Sequence, residues 1–309
     1  MSALTIIRPG LLTTVQDLGR WGHQHHGVPV AGPMDAFSHR LANRLVGNDE
    51  QAAALEITLV GPELQTSGEL VCAVTGAVFE LHAGDRPVAC GQAFHLAAGA
   101  SLRFGRRLAG ARATLAFRGG IDVPPILGSR ATSLVSGVGP FDGRALIARD
   151  VLPIGHAAAR IAAQVAGQPL RLPEGGARLR TIPGPHHSRF TADAVASFLA
   201  DTFTVTPQSN RMGFRLAGPA LSHAVEEDIL SDATPLGSVQ VPRSGQPILL
   251  MADRQTTGGY PKIATVIAAD MPLAGQLAPG DWVRFATCTR GDALEALQRL
   301  ERRLVGRLP

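Results

Sequence analysis

LEITLVGPEL, Leu55 to Leu64, alternates apolar and polar side chains and then stops at Gly61-Pro62. Alternation at period two lines one face of a strand, and a Gly-Pro pair punctuates it. The same grammar spreads outward on the C-terminal side. Leu70–Val74 stops at Thr75-Gly76 and Val78–Leu81 stops at Gly84-Asp85. Ala93–Leu96, Ser101–Phe104 and Arg112–Phe117 continue it. Short strands spaced by about 8–12 residues, with turn residues between them, predict a barrel or a sandwich.

The stretch also has an echo. GFRLAGPAL (Gly213–Leu221) resembles LEITLVGPEL, LRTIPG (Leu179–Gly184) resembles LTIIRPG (Leu4–Gly10), and APGDWVRF (Ala278–Phe285) resembles AAGASLRF (Ala97–Phe104). Three matches in the same order read as an internal repeat. They predict a mainly β protein with a few helices, in two domains, 1–170 and 171–309. The alanine-rich stretch from His156 to Gln168 reads as a linker or a short helix at the join. Strands are predicted at 202–206, 213–217, 236–241, 247–252, 263–267 and 281–286. Helices are expected from Met34 or Asp35 to Leu45, ended by Gly47-Asn48, over Asp193–Leu199, and from an N-cap-like Asp292 to Leu304.

Composition narrows the class. With 309 residues, 45% hydrophobic and 17% charged, the chain can bury about three quarters of its unfolded surface without staples. Three cysteines, Cys72, Cys90 and Cys288, lack any C-x-x-C spacing, so they read as reduced thiols of a cytoplasmic protein. Met1–Gly10 lacks the pattern of a secretory signal, and no apolar run reaches the roughly 18 residues of a membrane span. The net charge of +4 comes from scattered arginines, not the clustered basic footprint of a nucleic-acid binder.

The chemistry concentrates at Asp253-Arg254-Gln255-Thr256-Thr257-Gly258-Gly259-Tyr260-Pro261-Lys262, where Tyr260 is the only tyrosine and Lys262 the only lysine. An ammonium shifts its pKa on burial, unlike a guanidinium, and a phenol both donates and accepts hydrogen bonds. Gly258 and Gly259 let backbone N–H groups approach a ligand. The stretch reads either as a site on a rigid strand support or as a tight turn. Further polar clusters end apolar runs: Gln16, Asp17 and Arg20; Met34 and Asp35 with Asn43; Arg130; Arg144; Asn210 and Arg211; Gln240. Asp17 beside Arg20 reads as a catalytic pair or as an ion pair pinning a turn. Arg130 and Arg144 read as anion clamps or as turn residues bonded to carbonyls. Gly137-x-Gly139 with Gly143 misses the dinucleotide fingerprint, and Lys262 is out of frame for a P-loop. No G-x-S-x-G elbow is present. His23, His25 and His26, and His186 with His187, lack metal-site spacing, so no metal is expected.

TVQDLGR (Thr14–Arg20), GVP with AGPMD (Gly27–Asp35), ANRLVGN (Ala42–Asn48), SNRMG (Ser209–Gly213), QVP (Gln240–Pro242) and DRQTTGGYPKIATV (Asp253–Val266) together resemble the KipA family of 5-oxoprolinase subunits. The family is also similar to the second half of the carboxyltransferase region of urea carboxylase. The resemblance spans about residues 4–287. It implies two tandem cyclophilin-like β-barrel domains, a KipI-like partner and a LamB/YcsF-like partner. It further implies ATP-dependent opening of 5-oxoproline to L-glutamate, with ATP, and Mg2+ with it, required at the level of the complex. A lactam is a poor electrophile, and phosphorylating its oxygen creates a leaving group before water attacks. The resemblance supports the location of the site, and the roles are inferred from the residue chemistry. Lys262, Asp253 and Tyr260 are the catalytic candidates. Lys262 and the Gly258-Gly259 backbone would stabilise charge, with Asp253, Gln255 and Tyr260 positioning substrate or water. Gln255, Thr256, Thr257, Gly258, Gly259, Asn210, Arg211, Gln16, Asp17, Arg20, Met34, Asp35, Asn43, Arg130 and Arg144 are the candidates to bind substrate or phosphate. Ala31 and Ala131 stand where the family commonly has hydroxyl side chains, so no role is carried onto them.

Three functions compete: an oxoprolinase subunit, a carboxyltransferase component of a biotin-dependent urea or amide carboxylase, and a non-catalytic antagonist of a KipI-like kinase inhibitor. Lys262 follows Tyr-Pro and not the Ala-Met of a biotinyl-lysine, so biotin would sit on another chain. Neighbouring genes discriminate among the three.

Overall fold

The computed structural model describes residues 2–156, 167–226 and 228–306. Most of the alanine-rich 156–168 stretch lies outside the described residues. The chain divides into two compact units. The first holds Met1–Arg20, Ala31–Leu172 and Glu301–Pro309; the second holds Trp21–Val30 and Pro173–Leu300. Both are mainly β, with four α-helices among the described residues: α1 (Ala36–Leu45), α2 (Ala192–Ala200), α3 (Met271–Gly275) and α4 (Arg290–Leu304).

The first unit is built on a nine-stranded sheet. Its central pair is antiparallel, Leu70–Ala83 against Ser101–Phe117. Two short strands are predicted in each of these segments, and one long strand is found in each. The reason is local: Gly76 (φ 79°) and Gly110 (φ 70°) lie in the left-handed region, and the pairing shifts register after Gly76. A bulge absorbs such a residue and bends the strand without ending it. The interior is apolar, with Leu4, Leu55, Leu64, Val74, Leu102, Leu115 and Phe117 buried. Helix α1 packs beside the sheet through Phe37, Leu41 and Ala42.

The second unit holds a closed seven-stranded barrel: Gly176–Pro183, Lys262–Val266, Ser238–Gln240, Ile248–Leu250, Gly213–Ala217, Phe203–Val205 and Trp282–Thr287. The last strand closes parallel to the first, which removes both sheet edges. All six strands expected in this half are present. Thr191 caps α2 by accepting from the Ala194 N–H, and Phe198 on that helix stacks on Phe285 at 4.4 Å.

One cap differs from expectation. Thr289 Oγ1 accepts from the Asp292 N–H, and Asp292 Oδ2 accepts from the Thr289 N–H. Asp292 is therefore the third helical residue of a reciprocal capping box, and Thr289 is the cap.

Candidate functional site

The predicted site residues fall into two groups, one in each unit. In the first unit they knit loops together. Asp17 accepts from the Gly19 N–H, Ser129 Oγ and the Arg130 N–H. Arg20, 1% exposed, donates to the Ile126 and Ala131 carbonyls. Gln16 donates to Thr14 Oγ1 and the Thr132 carbonyl. Asp35 caps α1, accepting from the Ser38 N–H and hydroxyl. The buried Met34 donates its N–H to Glu56. Asn43 lies on α1 and donates to the Ala52 carbonyl while accepting from Asn48. Arg130 donates to the Val123 carbonyl and pairs with Asp122. Arg144 grips both oxygens of Asp150 and donates to the Ala145 carbonyl. The side chain of each of these two arginines thus bonds one backbone carbonyl and one carboxylate of the first unit.

The same unit holds a titratable group that no sequence signal marks. His39, on α1, is 1% exposed, and burial lowers its pKa to about 4, against the opposing pull of the Asp17 charge.

In the second unit the DRQTTGGYPK stretch gathers its polar groups. Lys262 opens the strand Lys262–Val266, opposite Gln240, where a bulge between Val239 and Gln240 shifts the register. Its side chain is fully buried, and Nζ lies 3.2 Å from Asp232 Oδ2. Asp232 sits on a two-residue strand, Asp232–Ala233, paired with Thr257–Gly258. The ammonium holds this carboxyl below the usual range by hydrogen bonding, with the Ala233 N–H adding to it. His186 Nδ1 accepts from the Lys262 N–H at 3.4 Å, and its Nε2 is 4.0 Å from Asp232. Burial first, and the Lys262 charge second, push the His186 pKa down. Sequence reasoning misses Asp232 and the role of His186. Asp232 lies in a stretch without periodicity, and His186 reads in the sequence only as one of a histidine pair.

Asp253 is 1% exposed and grips Arg211 with both oxygens, at 3.0 and 2.9 Å. Arg254 donates to the Thr234 and Met251 carbonyls, and burial lowers its pKa. Thr234 Oγ1 donates to the Gln255 carbonyl, which ties this loop to the flap bearing Asp232. Gln255 Nε2 donates to Gln240 Oε1 at 3.1 Å, and Gln240 donates to the Tyr260 carbonyl. A Cβ on Gly258 would stand 2.8 Å from Gln240 Nε2 and 3.1 Å from Gln255 Nε2, so a side chain here would push both amide ends aside. Thr256 joins the cluster through its backbone, its carbonyl accepting from the Thr234 N–H. Asn210 Oδ1 accepts from the Met212 N–H.

Of these groups, Asn210, Gln240, Gln255 and Tyr260 line a cavity of about 190 Å³, together with the apolar Ile248 and Leu250; Lys262, Asp232, Asp253 and Arg211 are not among its lining residues. That is below the roughly 300–1,000 Å³ of drug-sized pockets, so it suits a small ring or amide. Two larger depressions, of about 580 and 560 Å³, lie on the first unit. Neither gathers the interlocked amides found here, so chemistry and not size locates the candidate site. Among the described residues no group of three or more His, Cys, Asp or Glu side chains is placed to hold a metal. No described helix is long and apolar enough to cross a membrane.

Comparison with known proteins gives three findings. Residues 26–287 match the family model "Carboxyltransferase domain, subdomain A and B". The chain is similar to a 5-oxoprolinase subunit of Escherichia coli, 42% identical over 97% of this chain and 96% of that protein, and to its Haemophilus influenzae namesake, 36% identical over 93% and 92%. It also superposes on the crystal structure of the Kluyveromyces lactis urea amidolyase with a TM-score of 0.91 at 33% identity, covering 99% of this chain and 20% of that one.

Proposed function

The chain belongs to the carboxyltransferase-domain family, subdomains A and B, and from that premise we propose that it is a subunit of an ATP-dependent 5-oxoprolinase. The complex would open the 5-oxo-L-proline lactam to L-glutamate, with KipI-like and LamB/YcsF-like chains as its other members. The carrying observation is the two-way match: 42% identity covers 97% of this chain and 96% of an oxoprolinase subunit. In the reaction water adds to the lactam carbonyl carbon, the ring C–N bond breaks, and the ring nitrogen leaves as the amine of glutamate. ATP cleavage drives the opening at the level of the complex.

The chain's own groups suit the polar half of this task. The Gln240 and Gln255 amides complement a lactam N–H and carbonyl, and Tyr260, at 41% exposure, stands at the cavity with its phenol available. Lys262 supplies a fixed positive charge for an oxygen that becomes anionic, an interaction that gains strength away from water. Asp253, engaged through both oxygens, acts as a positioning residue by holding Arg211. The Gly258-Gly259 backbone leaves room for the amides. In the same reading the two halves are tandem cyclophilin-like domains and the complex works in the cytoplasm.

The urea amidolyase superposition, with its TM-score of 0.91, favours a second reading, a carboxyltransferase component of a biotin-dependent amide carboxylase. One experiment separates them. Glutamate and ADP release from 5-oxoproline and ATP is measured with the co-expressed complex, with and without avidin, and with Lys262→Met. Coupled, avidin-insensitive turnover that requires this chain supports the oxoprolinase reading. An intact complex without coupled turnover overturns it.

A further inference from the structure

Two ion pairs of the second unit are built in opposite ways. The side chains of Arg211 and Asp253 are 4% and 0% exposed and joined by two hydrogen bonds. Lys262 is equally buried, at 0%, but its ammonium meets a carboxylate whose side chain is 51% exposed, through one contact of 3.2 Å. The ammonium therefore lies one side chain from solvent.

That side chain is carried on a separate element. Asp232–Ala233 and Thr257–Gly258 form a two-stranded sheet of their own, outside the barrel ladder. Ile229 donates to the Gly259 carbonyl and Thr234 to the Thr256 carbonyl, so the flap rests on the candidate-site loop. Leu230, on the same flap, is 94% exposed and does not anchor it through apolar packing.

A buried ammonium is costly to leave without a counter-charge, but the counter-charge can be exchanged. If a ligand's anionic oxygen replaces Asp232, Lys262 stays neutralised and the displaced carboxylate returns to water. The place that opens lies 4.0 Å from His186 Nε2. The buried, bidentate Asp253 has no such exit.

We propose that Asp232 is a displaceable cover, its carboxylate holding the position on Lys262 that a ligand's carboxylate or phosphoryl oxygen takes. The cover keeps the sole lysine neutralised while the site is empty and sets a threshold for anions that enter. This deepens the assignment of Lys262 made above and rests on it only for the ligand's identity.

The test uses the chain's single lysine. The full chain is treated with an amine-acylating reagent and digested with trypsin. Acylated Lys262 resists cleavage, so the Arg-bounded peptide 255–284 stays whole, and its yield reports labelling free of the N-terminal amine. Labelling is titrated with inorganic phosphate and with acetate, at ionic strength held constant with chloride, in the unsubstituted chain and in Asp232→Asn. Removing the competing carboxylate should lower the half-protecting anion concentration by about tenfold or more. Stronger protection by acetate identifies a carboxylate ligand, and stronger protection by phosphate identifies a phosphoryl group. Equal half-protecting concentrations in the two proteins overturn the proposal, as does the absence of anion protection in both. Asp232→Ser, a second variant at the same exposed position, is measured if Asp232→Asn loses its fold. The readout needs no turnover, so a complex without oxoprolinase activity would leave it standing.

Discussion

Arg211→Met should unfold the second unit far more easily, and the pair's geometry sets the size of the effect. Both partners are buried, 4% and 0% exposed, so solvent screening does not discount the interaction. Removing the guanidinium deletes its two hydrogen bonds to Asp253 and leaves that carboxylate without its partner. A lone buried charge of this kind costs about 3–5 kcal/mol, a large share of the roughly 5–15 kcal/mol that holds a domain together. With a urea dependence of about 3 kcal/mol per M, the midpoint should fall by about 1–1.7 M. Both tryptophans, Trp21 and Trp282, belong to the second unit, so their fluorescence follows the relevant transition. Arg211→Met/Asp253→Leu should recover most of the loss, because apolar residues often replace a buried pair at little cost. A single variant costing under about 1 kcal/mol, or a double variant as weak as the single, would refute the positioning role. Asp253 would then be free to act as a base.

Other outcomes follow from the same geometry. Lys262→Met should lower coupled turnover of a folded complex by about 10²-fold or more, the range for losing one oxyanion donor, with glutamate and ADP release as the assay. His39 has a folded pKa lowered from 6.5 to about 4, so its neutral burial favours folding fully above pH 6.5, and that stability is lost as pH falls toward 4. The loss should reach about 3 kcal/mol, read as the difference in urea midpoints between the unsubstituted chain and His39→Gln at neutral pH and near pH 4. Gly258→Ala should raise KM for the small substrate by displacing the Gln240 and Gln255 amides, while moving stability by no more than about 1 kcal/mol, as checked by steady-state kinetics beside thermal melting. Thr289→Ala should cost about 1 kcal/mol through the lost cap of α4, measured by thermal melting against Arg299→Ala as a surface control.

The strands are legible where alternation and Gly-Pro punctuation agree, as at Ala54–Thr58 and across the barrel. They are misleading where a glycine continues a strand through a bulge, as at Gly76, because a left-handed glycine looks the same in sequence whether the partner strand ends or follows it. The candidate site is legible at DRQTTGGYPK, where unusual residue types stand together. Asp232, His186 and His39 are not, since each acquires its meaning from a neighbour at least 30 residues away or from burial alone.

By itself, then, the sequence determined the β-rich class and the stretch that carries the single lysine. Those depend on local side-chain period and residue type, which short-range physics reads directly. Only the tertiary structure decided that Asp253 is bound to Arg211 while Lys262 faces Asp232. Ion pairing depends on which charges folding brings within a few ångströms, and desolvation decides what each contact is worth.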